Sequence, residues 1–517
     1  MTGFKAKAQR ADVWLAAGMI AVSLAIRAHY AVTYQLNPDE GFHFLFAHQP
    51  TLWDVRLETV HPIHAYPPLY VFLLHFVLLF GNSELALRLP ALLFGTVFLG
   101  MAYLWMRRLL GAAAALGALA VLAFSPAMVS PGYEVRNYAL LLASVAVTLY
   151  GLERAFAEKS GRWMAVAMGS LYVAILTNYS AAWICAALGV YVGARALRGH
   201  LEGLKRQWMW YQAGALGIYA WLWATHLGSL MGSGTEAALH GFLKESYYWG
   251  YPDSPAAFAA RQSVAVSEYL YGLRWAGMAG ALLYVAGLAW LASGRDKTVR
   301  QPRWVCLLLG LPPMLGCLVG LMKLYPYGAS RHAAIFLPFL AAGAGYGLSL
   351  IAGKRLWVVA AVAAALVPPW IVLAYRNAWY IPGEDETIAK MESAMAYVRS
   401  LPKGSAIFAD HASLIELGYY LGRDAYSPYH GRGPGYVEFQ YEGYRVVSMA
   451  TAWEMDAKEF VPAFHELLRR YRLRPEEMWV FDYGIDNLAR QLAVAYPSIQ
   501  VKTHWFGRRT SVFQLSN

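Results

Sequence analysis

Apolar runs about as long as a bilayer is thick recur along this chain, and they decide its fold class. A helix needs roughly 20 mostly apolar residues to cross the hydrocarbon core. Runs of that kind lie near 13–33, 86–106, 112–129, 138–155, 163–178, 181–197, 208–226, 274–293, 304–322, 332–350 and 356–375. With 58% hydrophobic and 15% charged residues over 517 positions, they exclude an ordinary soluble domain. The expected architecture is an all-α polytopic membrane protein of about 11 transmembrane helices. The stretch from Pro67 to Gly81 is also apolar but only about fifteen residues long, the length of a helix lying flat at the interface.

Charge placement turns these runs into a topology. There are 43 basic and 32 acidic residues, an excess that could point to nucleic acid. Its location argues otherwise. Arg107-Arg108, Lys159 to Arg162, Arg195 to Arg206, Arg295 to Arg303 and Lys354-Arg355 all sit between apolar runs, where the positive-inside rule puts cytoplasmic loops. They share one face only if 67–81 does not span. No nucleic-acid partner is therefore expected, and membrane lipids are. The basic start (Lys5, Lys7, Arg10) runs into the first apolar stretch without a small-residue cleavage site, and reads as an uncleaved first helix with a cytoplasmic N-terminus. Cys185, Cys306 and Cys317 all lie in apolar runs, so neither a disulfide framework nor a thiolate metal cluster is expected.

On this parity the loop 34–85, the turn from Ser130 to Arg136, the loop 227–272, the turn from Leu324 to Arg331 and the tail after 376 share the external face. The tail is charged and alternates apolar runs (Ala406 to Ala409, Met478 to Phe481, Ser511 to Leu515) with helical stretches at 384–400 and 456–471, the pattern of a small α/β domain. The expected division is a transmembrane domain over 1–375 and an external α/β domain over 376–517. Asp410-His411 and Asp482 follow strand-like runs, where turn or cap roles compete with a ligand site.

The first external loop concentrates chemistry. Asn37-Pro38 supplies a cap and a first-turn proline for a helix that opens on Asp39 and Glu40. The helix dipole favours the carboxylate form there. His43 follows four residues after Asp39, on the same face. Then come His61, His64, Tyr66 and Tyr70, with Glu84 and Arg88 at the head of the second span, and Glu134 and Arg136 in the next external turn. Carboxylates can take a proton from a sugar hydroxyl. Arginine matches a phosphate with planar, paired hydrogen bonds. Such an outer face suits a lipid whose head is a phosphate and whose tail stays in the bilayer.

The order of motifs carries a resemblance. Asp39-Glu40 after the first span is followed by Pro67-Pro68-Leu69-Tyr70, by the run Ser83 to Gly95, by Glu134 to Leu141, and by Tyr325 to His332 with Phe336 to Phe339. This order resembles the GT-C glycosyltransferases of the protein O-mannosyltransferase and aminoarabinose-transferase type, in particular their bacterial branch. The likeness is best over 35–155. It implies a GT-C-like transmembrane catalytic domain and inverting transfer of a sugar from a polyprenyl-phosphate donor to a lipid or glycan acceptor, less so to a protein. Asp39 would be the general base, with Glu40 orienting or binding beside it and Glu134 as the second acidic residue of the catalytic set. Arg88, Arg136 and Arg331 would hold the donor phosphate, and His43, His61, His64, Tyr66 and His332 would contact substrate. Tyr70 reads as a packing residue. No cofactor is required by that scheme, and a divalent metal at the acids and histidines is left open. The setting implied is a bacterial cytoplasmic membrane, with the site and the tail on the periplasmic side.

Two departures bear on substrate. Where aminoarabinose transferases carry a Lys before the proline-rich element, this chain has His61, His64 and Tyr66. Nothing matches the luminal β-trefoil of the eukaryotic mannosyltransferases. A transporter or lipid flippase is the competing class, although no internal repeat is evident and the charges gather at span ends. A receptor or scaffold built on the tail is the third.

Overall fold

The computed structural model describes residues 2–60, 67–201, 203–228, 241, 243–250, 252–353, 355–367, 386–423, 436–449, 457–483, 488, 491–492, 496, 500–507 and 510–516. His61, His64 and Tyr66 fall outside them. The helices in chain order begin with α1 (Thr2–Thr33), α2 (Pro38–Ala47), α3 (Leu52–Thr59), α4 (Leu69–Val77), α5 (Glu84–Leu110), α6 (Ala112–Phe124) and α7 (Pro126–Val129). They continue with α8 (Tyr138–Glu158), α9 (Gly161–Thr177), α10 (Ala181–Leu197), α11 (Lys205–Leu222), α12 (Pro255–Tyr271), α13 (Arg274–Ser293) and α14 (Pro302–Leu321). The last are α15 (Leu337–Ala352), α16 (Leu356–Leu366), α17 (Ile388–Ser400), α18 (His411–Tyr420) and α19 (Ala457–Tyr471). Two compact units divide the chain.

The first unit holds Met1–His29, Leu89–Tyr133 and Asn137–Ile381. Each expected span is mostly helical over its described part, with 112–129 broken at Ser125. Among the described residues five helices are long and apolar enough to cross a membrane, and α6 with the following Pro126–Gly132 turn makes a sixth if counted as one broken span. The protein is thus a multi-pass membrane protein. The break, a bend of 78°, has a local cause. Proline disfavours helical geometry in the residue before it, and Ser125 ahead of Pro126 is extended at ψ 128. Helices approach closely through small residues, as membrane helices do. A Cβ on Gly345 of α15 would stand 2.6 Å from the Ala114 carbonyl of α6. The loop expected at 227–272 contains a helix of its own, α12.

The second unit holds Tyr30–Arg88, Glu134–Arg136 and Pro382–Asn517. Its sheet orders the strands β1 (Ala406–Ala409), β2 (Tyr436–Tyr441), β3 (Tyr444–Met449), β4 (Met478–Asp482), β5 (Gln500–Trp505) and β6 (Ser511–Ser516) as β2-β3-β1-β4-β6-β5. The central β1 runs parallel to β3 and β4, and the outer pairs are antiparallel. The tail is therefore the α/β structure expected. Helix α4 is a nine-residue helix, too short to span.

The first loop and the tail share one core in this unit. Leu36, Phe42, Phe44, Leu45, Phe46 and Val55 are buried in the same cluster as Ile407, Leu414, Ile415, Leu417 and Val446. Tyr34 bridges Thr387, Gln35 N–H donates to the Glu386 carbonyl at 3.1 Å, and Leu36 N–H donates to the Tyr420 hydroxyl at 3.1 Å.

Candidate active site

Helix α2 begins with a reciprocal cap. The Asn37 side chain accepts from Glu40 N–H at 3.1 Å, and the Glu40 carboxylate accepts from Asn37 N–H at 3.0 Å. This capping box fixes where each acid of the pair points. Glu40 turns inward and is 1% exposed, whereas Asp39 is 38% exposed. Adjacent in sequence, they have different environments.

Glu40 is the hub of a buried network. Arg88 Nε donates to its Oε1 at 2.9 Å and Nη2 to its Oε2 at 2.7 Å, a paired guanidinium–carboxylate bridge. Val135 N–H donates to Oε1 at 2.9 Å. With Asn37 N–H, the carboxylate is fully coordinated. The rest of the Arg88 guanidinium goes to the carbonyls of Ala31 (3.1 Å), Tyr34 (2.6 Å) and Gln35 (2.8 Å). All five N–H donors of an arginine are thereby engaged. The sequence marks Arg88 as a phosphate ligand. Here it ties the end of the first span, the head of α5 and the 134–136 segment to Glu40, with no donor left over. The signal for that role, a distant carboxylate partner, cannot be read from local sequence.

Asp39 stands at the accessible end of this network. Arg136, itself buried, places Nη1 2.8 Å from Asp39 Oδ2. Three of the expected residues, Asp39, Glu40 and Arg136, are thus brought together, and Arg88 joins them from behind. Glu134 is buried beside them in sequence. His43 lies beneath: its Nδ1 meets the Asp39 carbonyl at 2.9 Å, so the i,i+4 spacing serves the backbone rather than a shared ligand. Glu84 pairs at 3.6 Å with Arg423. Arg331 and His332 belong to a short 3-10 turn, Arg331–Ile335, in the other unit. Among the described residues no group of three His, Cys, Asp or Glu side chains gathers as metal ligands.

Two side chains missed at the sequence level line the same network. Tyr70, expected only to pack, is 1% exposed, and its hydroxyl has no hydrogen-bond partner among the described residues. Burial, with Glu40 adding to it, holds its phenol above the ordinary range and keeps it a proton donor. Glu416, on α18 of the tail, buries both carboxylate oxygens without a hydrogen bond among the described residues. Burial raises its pKa well above the ordinary carboxylate value, and Glu40 and Glu386 push it the same way against Arg88. The other tail residues expected to be caps or ligands include Asp410, which caps α18 by accepting from Ser413 N–H at 2.8 Å. Burial lowers His411 to about 4, so it packs as a neutral ring, 5.1 Å from Phe42.

Comparison with known proteins gives this arrangement a setting. Residues 64–224 match the family described as dolichyl-phosphate-mannose-protein mannosyltransferase. No curated protein sequence matches the chain. Among solved structures, ArnT from Cupriavidus metallidurans in the apo state aligns over 98% of both chains, with TM-score 0.52 and 16% identity. The same protein bound to undecaprenyl phosphate aligns over 97% of both, with TM-score 0.52 and 15% identity. The chain has the GT-C glycosyltransferase fold. The Archaeoglobus fulgidus oligosaccharyltransferase shares it as well, over 97% of this chain and 74% of that one, with TM-score 0.51 and 12% identity. The two ArnT alignments run over nearly the whole chain, helices and sheet domain alike.

Proposed function

We propose that this protein is an inverting glycosyltransferase that moves a sugar from a polyprenyl-phosphate donor to a lipid or glycan acceptor. The observation that carries this reading is the division of the acidic pair. Asp39 is accessible and faces Arg136, and the neighbouring Glu40 is locked into Arg88. Support for the donor class comes from the family match and from a structural relative that binds undecaprenyl phosphate. The site and the tail face the periplasm of a bacterial cell envelope on this reading, because the basic loops mark the opposite side.

The chemistry needs one base and a cationic partner. Asp39 takes the proton from the acceptor hydroxyl as its oxygen attacks the anomeric carbon. The carbon–oxygen bond to the lipid phosphate breaks, and the phosphate leaves with the electron pair. It departs as a stable anion and needs no protonation. Arg136 is suited to receive that charge. Until a donor arrives it sits on Asp39. A phosphate that draws the guanidinium away frees the carboxylate, so donor binding switches the base on. Arg88, with every donor engaged, positions Glu40 and the 134–136 segment. Roles for Arg331 and His332 at the donor rest on the resemblance.

The test is transfer of radiolabelled sugar from polyprenyl-phosphate donors in membranes. Asp39→Asn should abolish transfer with folding intact, a loss on the order of a hundredfold or more for a general base. Arg136→Gln should weaken donor binding as well as turnover. Full activity in Asp39→Asn would remove the assignment.

A further inference from the structure

A charged cavity lies within the transmembrane unit. It has a volume of about 320 Å³ and is lined by Arg108, Glu153, Tyr191, Arg195, Arg300 and Trp304, among others. That size falls in the range of small-ligand sites, about 300–1,000 Å³. The lining comes from the last turns of α5, α8 and α10, the 295–301 loop and the first turn of α14, which is the end of the bundle that carries the basic loops.

Its charge is not balanced from within. Glu153 faces Arg195, Arg108 and Arg300. Among the described residues it forms no ion pair with any of them. Arg195 is 8% exposed, and its guanidinium lies 4.5 Å from the Phe156 ring and 5.6 Å from the rings of both Tyr191 and Trp304. Nη1 donates to the Tyr191 hydroxyl at 2.8 Å, whereas the buried Nε has no hydrogen-bond partner among the described residues. Arg108 and Arg300 are exposed. A buried arginine packed against three aromatic rings, its Nε without a partner among the described residues, and two more arginines at the surface make a built receptor for an anion. Fixing a guanidinium so rigidly lowers the entropy cost of binding one.

We infer that this cavity binds the phosphodiester headgroup of an anionic membrane phospholipid. The arginines would grip the phosphate, and Trp304 would sit at the headgroup level where amphipathic rings collect. Basic pockets between spans on the cytoplasmic side bind such headgroups elsewhere, and the walls here are the ends of membrane helices. The site is separate from Asp39 and stands whether or not the proposed transfer reaction is confirmed. It would make the protein's stability depend on the anionic lipid of one leaflet.

The experiment uses the full chain purified in detergent. Phosphatidylglycerol, phosphatidylcholine of the same acyl chains, and inorganic phosphate are titrated separately, with native mass spectrometry and thermal unfolding as readouts. Phosphatidylglycerol should bind and raise Tm, and phosphatidylcholine should not. Removing two arginine charges in the R195Q–R300Q pair should weaken phosphatidylglycerol roughly thirtyfold. R108Q–R300Q touches only exposed side chains and covers the case in which loss of Arg195 disturbs folding. Glu153→Gln should shift affinity the other way, toward tighter binding. Equal stabilisation by phosphatidylcholine, or a phosphatidylglycerol shift that survives both double variants, would overturn the site. Saturation by inorganic phosphate, with nothing added by phosphatidylglycerol, would overturn the lipid and leave a soluble anion.

Discussion

Asp39 and Glu40 differ by one position and by almost everything that decides chemistry. Glu40 accepts from four donors in a buried network, so neutralising it leaves Arg88 as an uncompensated interior charge. Breaking a buried pair this way costs roughly 3–5 kcal/mol. Glu40→Gln should therefore lower Tm sharply in detergent, while Asp39→Asn should cost less, because its pair with Arg136 has one accessible end. A Glu40→Gln protein as stable as wild type but inactive would instead make Glu40 a reacting group. Glu416 gives the residue-scale pH prediction. Its folded-state pKa is raised by burial. The stability it contributes is full below the unfolded value near 4.5 and is lost as pH rises through the folded value. Glu416→Gln removes that loss. Its Tm should exceed wild type at pH 8, and the gap should close as pH falls toward 4.5. A gap that is constant with pH would mean Glu416 does not titrate with unfolding.

At the scale of elements, the fold joins α2 to α18. A Cβ on Gly41 would stand 2.5 Å from Ile415 Cγ2, closer than such contacts occur. Gly41 follows the acidic pair because the tail's helix leans on α2 at that point. Gly41→Ala should destabilise by about 1–3 kcal/mol, and Ile415→Ala in the same chain should recover part of it, a coupling that a thermal double-mutant cycle reads directly. The sequence carries some of this and not the rest. Asn37-Pro38 before two acids marks the start of α2, because capping is a local rule. Apolar length marks the spans for the same reason. The roles of Arg88, Gly41 and Tyr70 depend on partners tens to hundreds of residues away, and no local pattern encodes those. The β2–β3 hairpin carries no strong local signal because its turn is Glu442-Gly443, both at positive φ, instead of the usual Asn-Gly or Asp-Gly. Helix α12 was hidden by the Ser, Arg, Gln and Glu that break its apolar run.

For the whole molecule, the consequence is that the tail is not an appendage to the loop that bears Asp39. Phe44 packs edge-on against Tyr419 at 4.9 Å, Phe42 lies against His411, and the α2 side chains share the core of the sheet domain. Burying one such side chain is worth roughly 1.5–3 kcal/mol. Uncovering Phe42, Phe44 and their neighbours together approaches the whole stability of a domain, about 5–15 kcal/mol. A chain ending before residue 386 should still insert, because insertion of a span is set by its own apolar length. Its loop over 34–60 should become protease-sensitive, and Asp39-dependent transfer should disappear. An accessory domain predicts something different, a protected loop and retained turnover with altered acceptor choice. Limited proteolysis and the transfer assay on the same membranes separate the two. If the truncated loop stays protected, the shared core does not hold Asp39 in place, and the capping box and the Arg88 network alone must do so.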